Sequence, residues 1–219
     1  MKNSAIVPCA LICALLVSAP QASLGDDDSL LQDASFELEL PADQGGWSLF
    51  EVSLFSQDQA RSGDQSMLNA GLSKTVGHHP YFIGVVSGSF QEYPATPGSR
   101  WRLTGYGLAD NQLRGTPAFG IVQVSFFDAD GKDLGTVETA GGTTKAKTSN
   151  EVNNQTPAGE WTFLDTGIAT APAGTATVQA FTIYVDFSGT NTTQGVYFDD
   201  LSLCALEDDD DESNRCRQE

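Results

Sequence analysis

Basic side chains are scarce in this chain: 11 lysines and arginines stand against 29 aspartates and glutamates, leaving a formal charge of -18 over 219 residues. A surface of that sign repels phosphate and sulfate polymers, which disfavours nucleic acid as a partner and a purely electrostatic hold on a membrane. Neutral molecules or cations are the partners it leaves. Histidine is nearly absent too, with only His78 and His79. Neighbouring residues on an extended segment point to opposite sides, so these two cannot easily form one chelate or one acid-base pair. Also missing are a GxSxG elbow, an HExxH helix and a phosphate-cradling glycine loop.

Long apolar runs are lacking as well. The longest, Ala10 to Ala19, supplies about ten of the roughly 20 residues a spanning helix needs. It follows Lys2 and precedes Pro20, Gln21 and Ala22, the order of a secretory signal, with cleavage expected after Ala22 or Gly25. The rest divides into an acidic segment over 23–33, one sandwich domain over 34–204 and an acidic tail over 205–219. An extracellular or periplasmic protein is expected, as a monomer. Of four cysteines, Cys9 and Cys13 lie in the leader. A lipoprotein anchor at Cys13 is the rival reading, but Ile12 is not the small residue such sites prefer. Cys204 and Cys216 remain, and export makes a bridge between them plausible, stabilising by about 3 kcal/mol through loop closure.

What the chain does have is short alternation of apolar and polar residues, broken by Gly, Pro, Asn and Asp, and no convincing helix. This predicts an all-β fold, an antiparallel β-sandwich. The clearest runs are Ser35 to Leu40, Ser48 to Phe55, Gln65 to Leu72, Tyr81 to Phe90, Arg100 to Gly107, Phe119 to Asp128, Glu160 to Asp165, Val178 to Phe187 and Val196 to Leu203. The DADGKD stretch at Asp128 predicts a tight turn, and Gly141 to Gly159 an exposed loop. Period-two reading puts Trp101 and Leu103 inward, with Arg102, Thr104 and Tyr106 outward. It likewise puts Val122, Val124 and Phe126 inward with Gln123 outward, and Phe181, Ile183 and Val185 inward with Thr182, Tyr184 and Asp186 outward.

The order of local signals resembles the carbohydrate-binding modules of families 4, 9 and 22, galactose-binding-domain-like jelly rolls. The pieces are ASFELEL around Phe36 and Glu37, Gly46-Trp47, ARSGDQSMLNAG from Ala60, FQEYPATPGSRWRLTGYGL from Phe90, VSFFDADGKDLG, EWTFLDTGIATAPAGTATVQAFTIYVDF and VYFDDLSL. Together they cover nearly all of Ala34 to Leu203. The resemblance implies a structural Ca²⁺ where the first and last strands meet. Glu37 and Asp200 would supply carboxylates and the turn at Gly63 and Asp64 backbone oxygens, since a hard cation wants six to eight oxygens. It also implies that Trp47, Trp101 and Trp161 are scaffold aromatics.

A sugar ring needs flat apolar surface and planar hydrogen-bonding groups at its rim. Arg102, Tyr106, Gln123 and Tyr184 are the expected ligand surface, with Tyr81 and Tyr93 as further candidates. A secreted non-catalytic protein that binds a polysaccharide or oligosaccharide is therefore favoured over an enzyme. Two alternatives stay open: a polysaccharide lyase or glycoside hydrolase on the same fold, using His79, Tyr81 and Arg102, and an adhesive or structural extracellular module.

Overall fold

The structure, a computed structural model, describes residues 29–71, 85–109, 113, 115–135, 147–187 and 194–206. The expectations for the leader, His78, His79, Tyr81, Cys216 and the acidic tail lie outside them. Among the described residues twelve strands form two antiparallel sheets, which is the expected sandwich. The first sheet runs β1 (Ser48–Phe50), β4 (Val85–Pro94), β11 (Thr177–Asp186), β6 (Phe119–Phe127), β7 (Lys147–Thr148), with β8 (Val152–Asn153) also on β6. The second runs β10 (Ala169–Thr170), β5 (Arg100–Ala109), β12 (Gly195–Leu206), β3 (Ser66–Ala70), β2 (Ser53–Ser56), with β9 (Thr162–Asp165) also on β5. Among the described residues no helix is long and apolar enough to cross a membrane.

Between the sheets lies one core that includes Trp101, Leu103, Val122, Val124 and Phe126, the residues that alternation pointed inward on β5 and β6, together with Val196, Phe198 and Leu203 of β12. Trp47 belongs to it at 3% exposure, whereas Trp161 is only half-buried. The DADGKD turn forms as read, closed by the Asp128 N–H on the Lys132 carbonyl at 3.0 Å, with Gly131 at φ 77°.

Three readings change. Ser35 to Leu40 is no strand: Phe36 adopts φ 63° and Glu39 φ 47°, and Phe36 turns fully inward against Trp47, ring centroids 4.9 Å apart. This segment still ties the chain start to β12, through the Leu30 N–H on the Leu203 carbonyl at 2.9 Å and the Leu201 N–H on the Ala34 carbonyl at 3.0 Å. The loop expected over Gly141 to Gly159 contains β7 and β8, and Val152 is fully buried.

The third change concerns β11, whose sides are inverted relative to the alternation. Tyr184, expected at a ligand surface, is fully buried in the core with Val178 and Ala180, and Thr182 is buried beside them. Phe181, Ile183 and Val185 instead lie on the outer face, clustered with Val86, Phe119 and Ile121. The cause is a polar network between the sheets, in which the Asn69 amide N–H and three hydroxyls find hydrogen-bond partners. The Asn69 amide donates to Thr182 Oγ1 at 2.8 Å, the Ser89 and Thr182 hydroxyls lie 2.7 Å apart, and Ser87 donates to the Ala70 carbonyl at 2.9 Å. The inner face of β11 thus reads as the polar one. Tyr184→Ala should cost about 3 to 5 kcal/mol in urea unfolding, and Phe181→Ala only about 1 kcal/mol. Equal losses would contradict the inverted assignment.

Candidate functional site

Two places gather polar side chains with a common purpose. One is the corner where β12 meets the loop before β3. Opposite Gly105 the last strand carries a bulge between Asp199 and Ser202, with Asp200 at φ 47°. Leu201 is thereby turned into the core, where its Cδ2 lies 2.2 Å from the position a Cβ on residue 105 would take, so only glycine fits there. The same irregularity aims both acids at the Arg61–Ser62 loop. Asp199 Oδ2 accepts the Arg61 and Ser62 N–H groups at 2.7 and 3.2 Å, and its Oδ1 accepts the Asp200 N–H at 2.8 Å. Asp200 accepts Arg61 Nη1 and Ser62 Oγ, each at 2.5 Å. Glu37 holds the next residues, accepting the N–H of Asp64 at 3.0 Å and of Gln65 at 3.2 Å.

As placed, these groups do not fit a hard cation. Glu37 and Asp200 converge on one loop but face N–H, O–H and guanidinium donors there, and Asp64 joins through its N–H. The positive charge at Asp200 is the Arg61 guanidinium itself. Among the described residues no three His, Cys, Asp or Glu side chains gather to hold an ion. In this arrangement an arginine and backbone donors do the fastening, and the calcium expectation passes to the EDTA measurement below.

The expected ligand residues are not brought together. Tyr106 lies on the outer face of the second sheet beneath Arg61, whose guanidinium carbon sits 3.5 Å from the ring centroid, and Phe163 meets it edge-on at 5.4 Å. Arg102, on the same face, makes a two-pronged pair with Asp165, Nε to Oδ1 at 2.9 Å and Nη2 to Oδ2 at 2.5 Å. Tyr184 is in the core. Gln123 alone is on the outer face of the first sheet. Tyr93 packs against the core and donates to Gln91 Oε1 at 2.5 Å.

That outer face of the first sheet is the second place. Strand register sets Gln123, Phe181, Phe90 and Ser48 in one row across four strands, and Ser125, Gln179 and Glu92 in the next. The Phe90 and Phe181 rings lie 5.4 Å apart at 36°. Around them the Gln179 amide donates to Glu92 Oε2 at 2.6 Å and the Gln123 amide to Ser125 Oγ at 2.7 Å. Two half-buried rings bordered by planar amides and a carboxylate can stack on an apolar ring face while hydrogen-bonding its rim. Sequence reading missed Phe90 and Phe181 because a phenylalanine on a central strand looks like core. The apolar residues on both sides of β11 were the available signal that one side serves something other than the core.

No protein-family model matches the chain, and no curated protein sequence does. Solved structures do. The C-terminal family 22 carbohydrate-binding module of Clostridium thermocellum Xyn10B superposes with a TM-score of 0.50 at 13% identity, over 83% of this chain and 97% of that module. The chain has the fold of a carbohydrate-binding module. An arabinose-bound MgGH51 α-L-arabinofuranosidase reaches a TM-score of 0.50 at 15% identity over 81% of this chain, which spans only 26% of that enzyme. It spans 21% of the enzymatically active domain of bacteriophage CBA120 tailspike protein 4, at 12% identity and a TM-score of 0.48.

Two outcomes follow from the corner. EDTA should leave the melting temperature within about 1 °C, while Arg61→Ala, which strands Asp200, should cost about 1 to 3 kcal/mol. A fall of several degrees in EDTA would restore the metal. Burial, and then the Asp200 charge, pushes the Asp199 carboxyl up to about 7 from its ordinary 3.8, against the pull of the Arg61 and Ser62 N–H groups. Burial raises Asp33 as well. A raised carboxyl binds its proton more tightly folded than unfolded, so its stabilisation is complete below about pH 4 and is lost as pH rises through 7. Melting curves should therefore show the parent gaining several degrees more than Asp199→Asn between pH 8 and pH 5.

Proposed function

We propose that this is a secreted, non-catalytic carbohydrate-binding protein whose ligand lies on the outer face of the first sheet. The observation that carries the reading is the Phe90–Phe181 pair, flanked by Gln123 on one side and by the Gln179–Glu92 bond on the other. Its fold supports the same reading, being shared with a module whose cleft is described for its role in ligand binding. The Ala10 to Ala19 leader supports export, and a Cys204–Cys216 bridge would suit that compartment. Cys204 is buried on β12 at 3% exposure.

The net charge of -18 favours an uncharged polysaccharide or oligosaccharide. A hydrolytic or lyase function is less well supported. Of the residues it leaned on, Arg102 is held by Asp165, and His79 and Tyr81 fall outside the described residues.

Affinity electrophoresis on xylan and β-1,4-galactan tests the assignment. Phe181→Ala should weaken retention roughly 10- to 30-fold, the loss of one well-buried anchor, and Tyr106→Ala should leave it unchanged. Retention lost in Tyr106→Ala but kept in Phe181→Ala would move the site to the other sheet. Sugar released from either polymer would overturn the non-catalytic reading.

A further inference from the structure

At the edge of the first sheet β1 ends while β4 runs on, and a hollow of about 190 Å³ opens there between β4 and the loop around Gly45 and Gly46. Phe90 and Ser48, which end the first row on the outer face, and Glu92, which ends the second, line it on one side; Ala42 and Gly46 line it on the other. Gly46 comes so close to Leu40 that a Cβ would sit 1.7 Å from the Leu40 carbonyl oxygen, and Gly45 takes φ 85°. The loop can therefore hug its neighbours and stand as a fixed wall. Behind it the Gln32 N–H donates to Gln91 Oε1 at 3.0 Å, and the Gln91 amide returns a bond to the Gln32 carbonyl at 2.5 Å.

Resting on the proposed function, we infer that this hollow is a terminal subsite that takes the last ring of an uncharged saccharide chain. Three observations carry it. The first row ends at Ser48 and the second at Glu92, both lining the hollow beside the loop, so a chain stacked on Phe181 and Phe90 runs into the loop wall. Its volume falls below the roughly 300 to 1,000 Å³ of drug-sized pockets, which leaves room for one ring and no more. Among the described residues the only charged side chain lining it is Glu92, an acceptor for ring hydroxyls that repels carboxylate and sulfate substituents.

Calorimetric titration with neutral xylo- and β-1,4-galacto-oligosaccharides of two to six rings, beside galacturonate oligomers, tests this with three variants. In the parent, affinity should rise up to about three rings and then level, the hexamer binding within about twofold of the trimer, and galacturonates at least tenfold more weakly. Ala42→Trp, an exposed position whose new ring fills the hollow, should weaken neutral binding about tenfold or more. Glu92→Gln, which keeps size and hydrogen bonding, should narrow the gap between neutral and acidic oligomers. Affinity that climbs steadily to six rings, with both variants like the parent and Phe181→Ala impaired, overturns the subsite and leaves the binding face standing. No binding of any neutral oligomer, or Phe181→Ala equal to the parent, overturns the binding face and the subsite with it.

Discussion

Asp199 and Asp200 sit where β12 carries one residue more than its partner, and the end of the sandwich around Glu37 depends on that extra residue. Without the bulge, strict alternation would send the two acids to opposite sides and leave Leu201 out of the core. With it, Leu201 fills the space that Gly105 vacates, and both carboxylates turn to the Arg61–Ser62 loop. The loop is held by its own backbone donors and by a guanidinium that also caps Tyr106. The acids which sequence alone presents as a cation site are met here by the Arg61 guanidinium and by backbone and hydroxyl donors.

The two sheets divide the labour. The second sheet is locked from outside by Arg61 on Tyr106 and by Arg102 on Asp165, so its polar outer groups are engaged in structure. The first sheet keeps a half-buried aromatic and aliphatic surface on its outside, with amides and one carboxylate beside the rings. Burying Asn69, Ser89 and Thr182 between the sheets is what frees β11 to present Phe181 outward. One strand thus serves both sides of the sheet: Thr182 is hydrogen-bonded inside beside Val178, Ala180 and Tyr184, while Phe181, Ile183 and Val185 face outward.

Much of this was legible in the chain. Alternation in Arg100 to Tyr106 and in Phe119 to Phe127 assigned inward and outward residues correctly, because Arg102, Thr104 and Gln123 mark one side as polar. The DADGKD turn was legible because Asp and Gly satisfy its backbone locally. Phe36 and Glu39 were not, since their left-handed conformations are imposed by contacts with Trp47 and with β12. Gln123 faces outward as alternation had it, but Arg102 and Tyr106, grouped with it, lie on a different sheet, which period two cannot distinguish.

By itself, then, the sequence determined the strand content, the sandwich and the sign of the surface charge, all of which follow from composition and local periodicity. Only the tertiary structure decided which side of β11 is inside and which cation meets Asp200. Alternation gives two sides without naming either, and a carboxylate's partner is whichever donor the fold brings within three ångströms. Both answers come from residues more than a hundred positions away: Asn69 from Thr182, and Arg61 from Asp200.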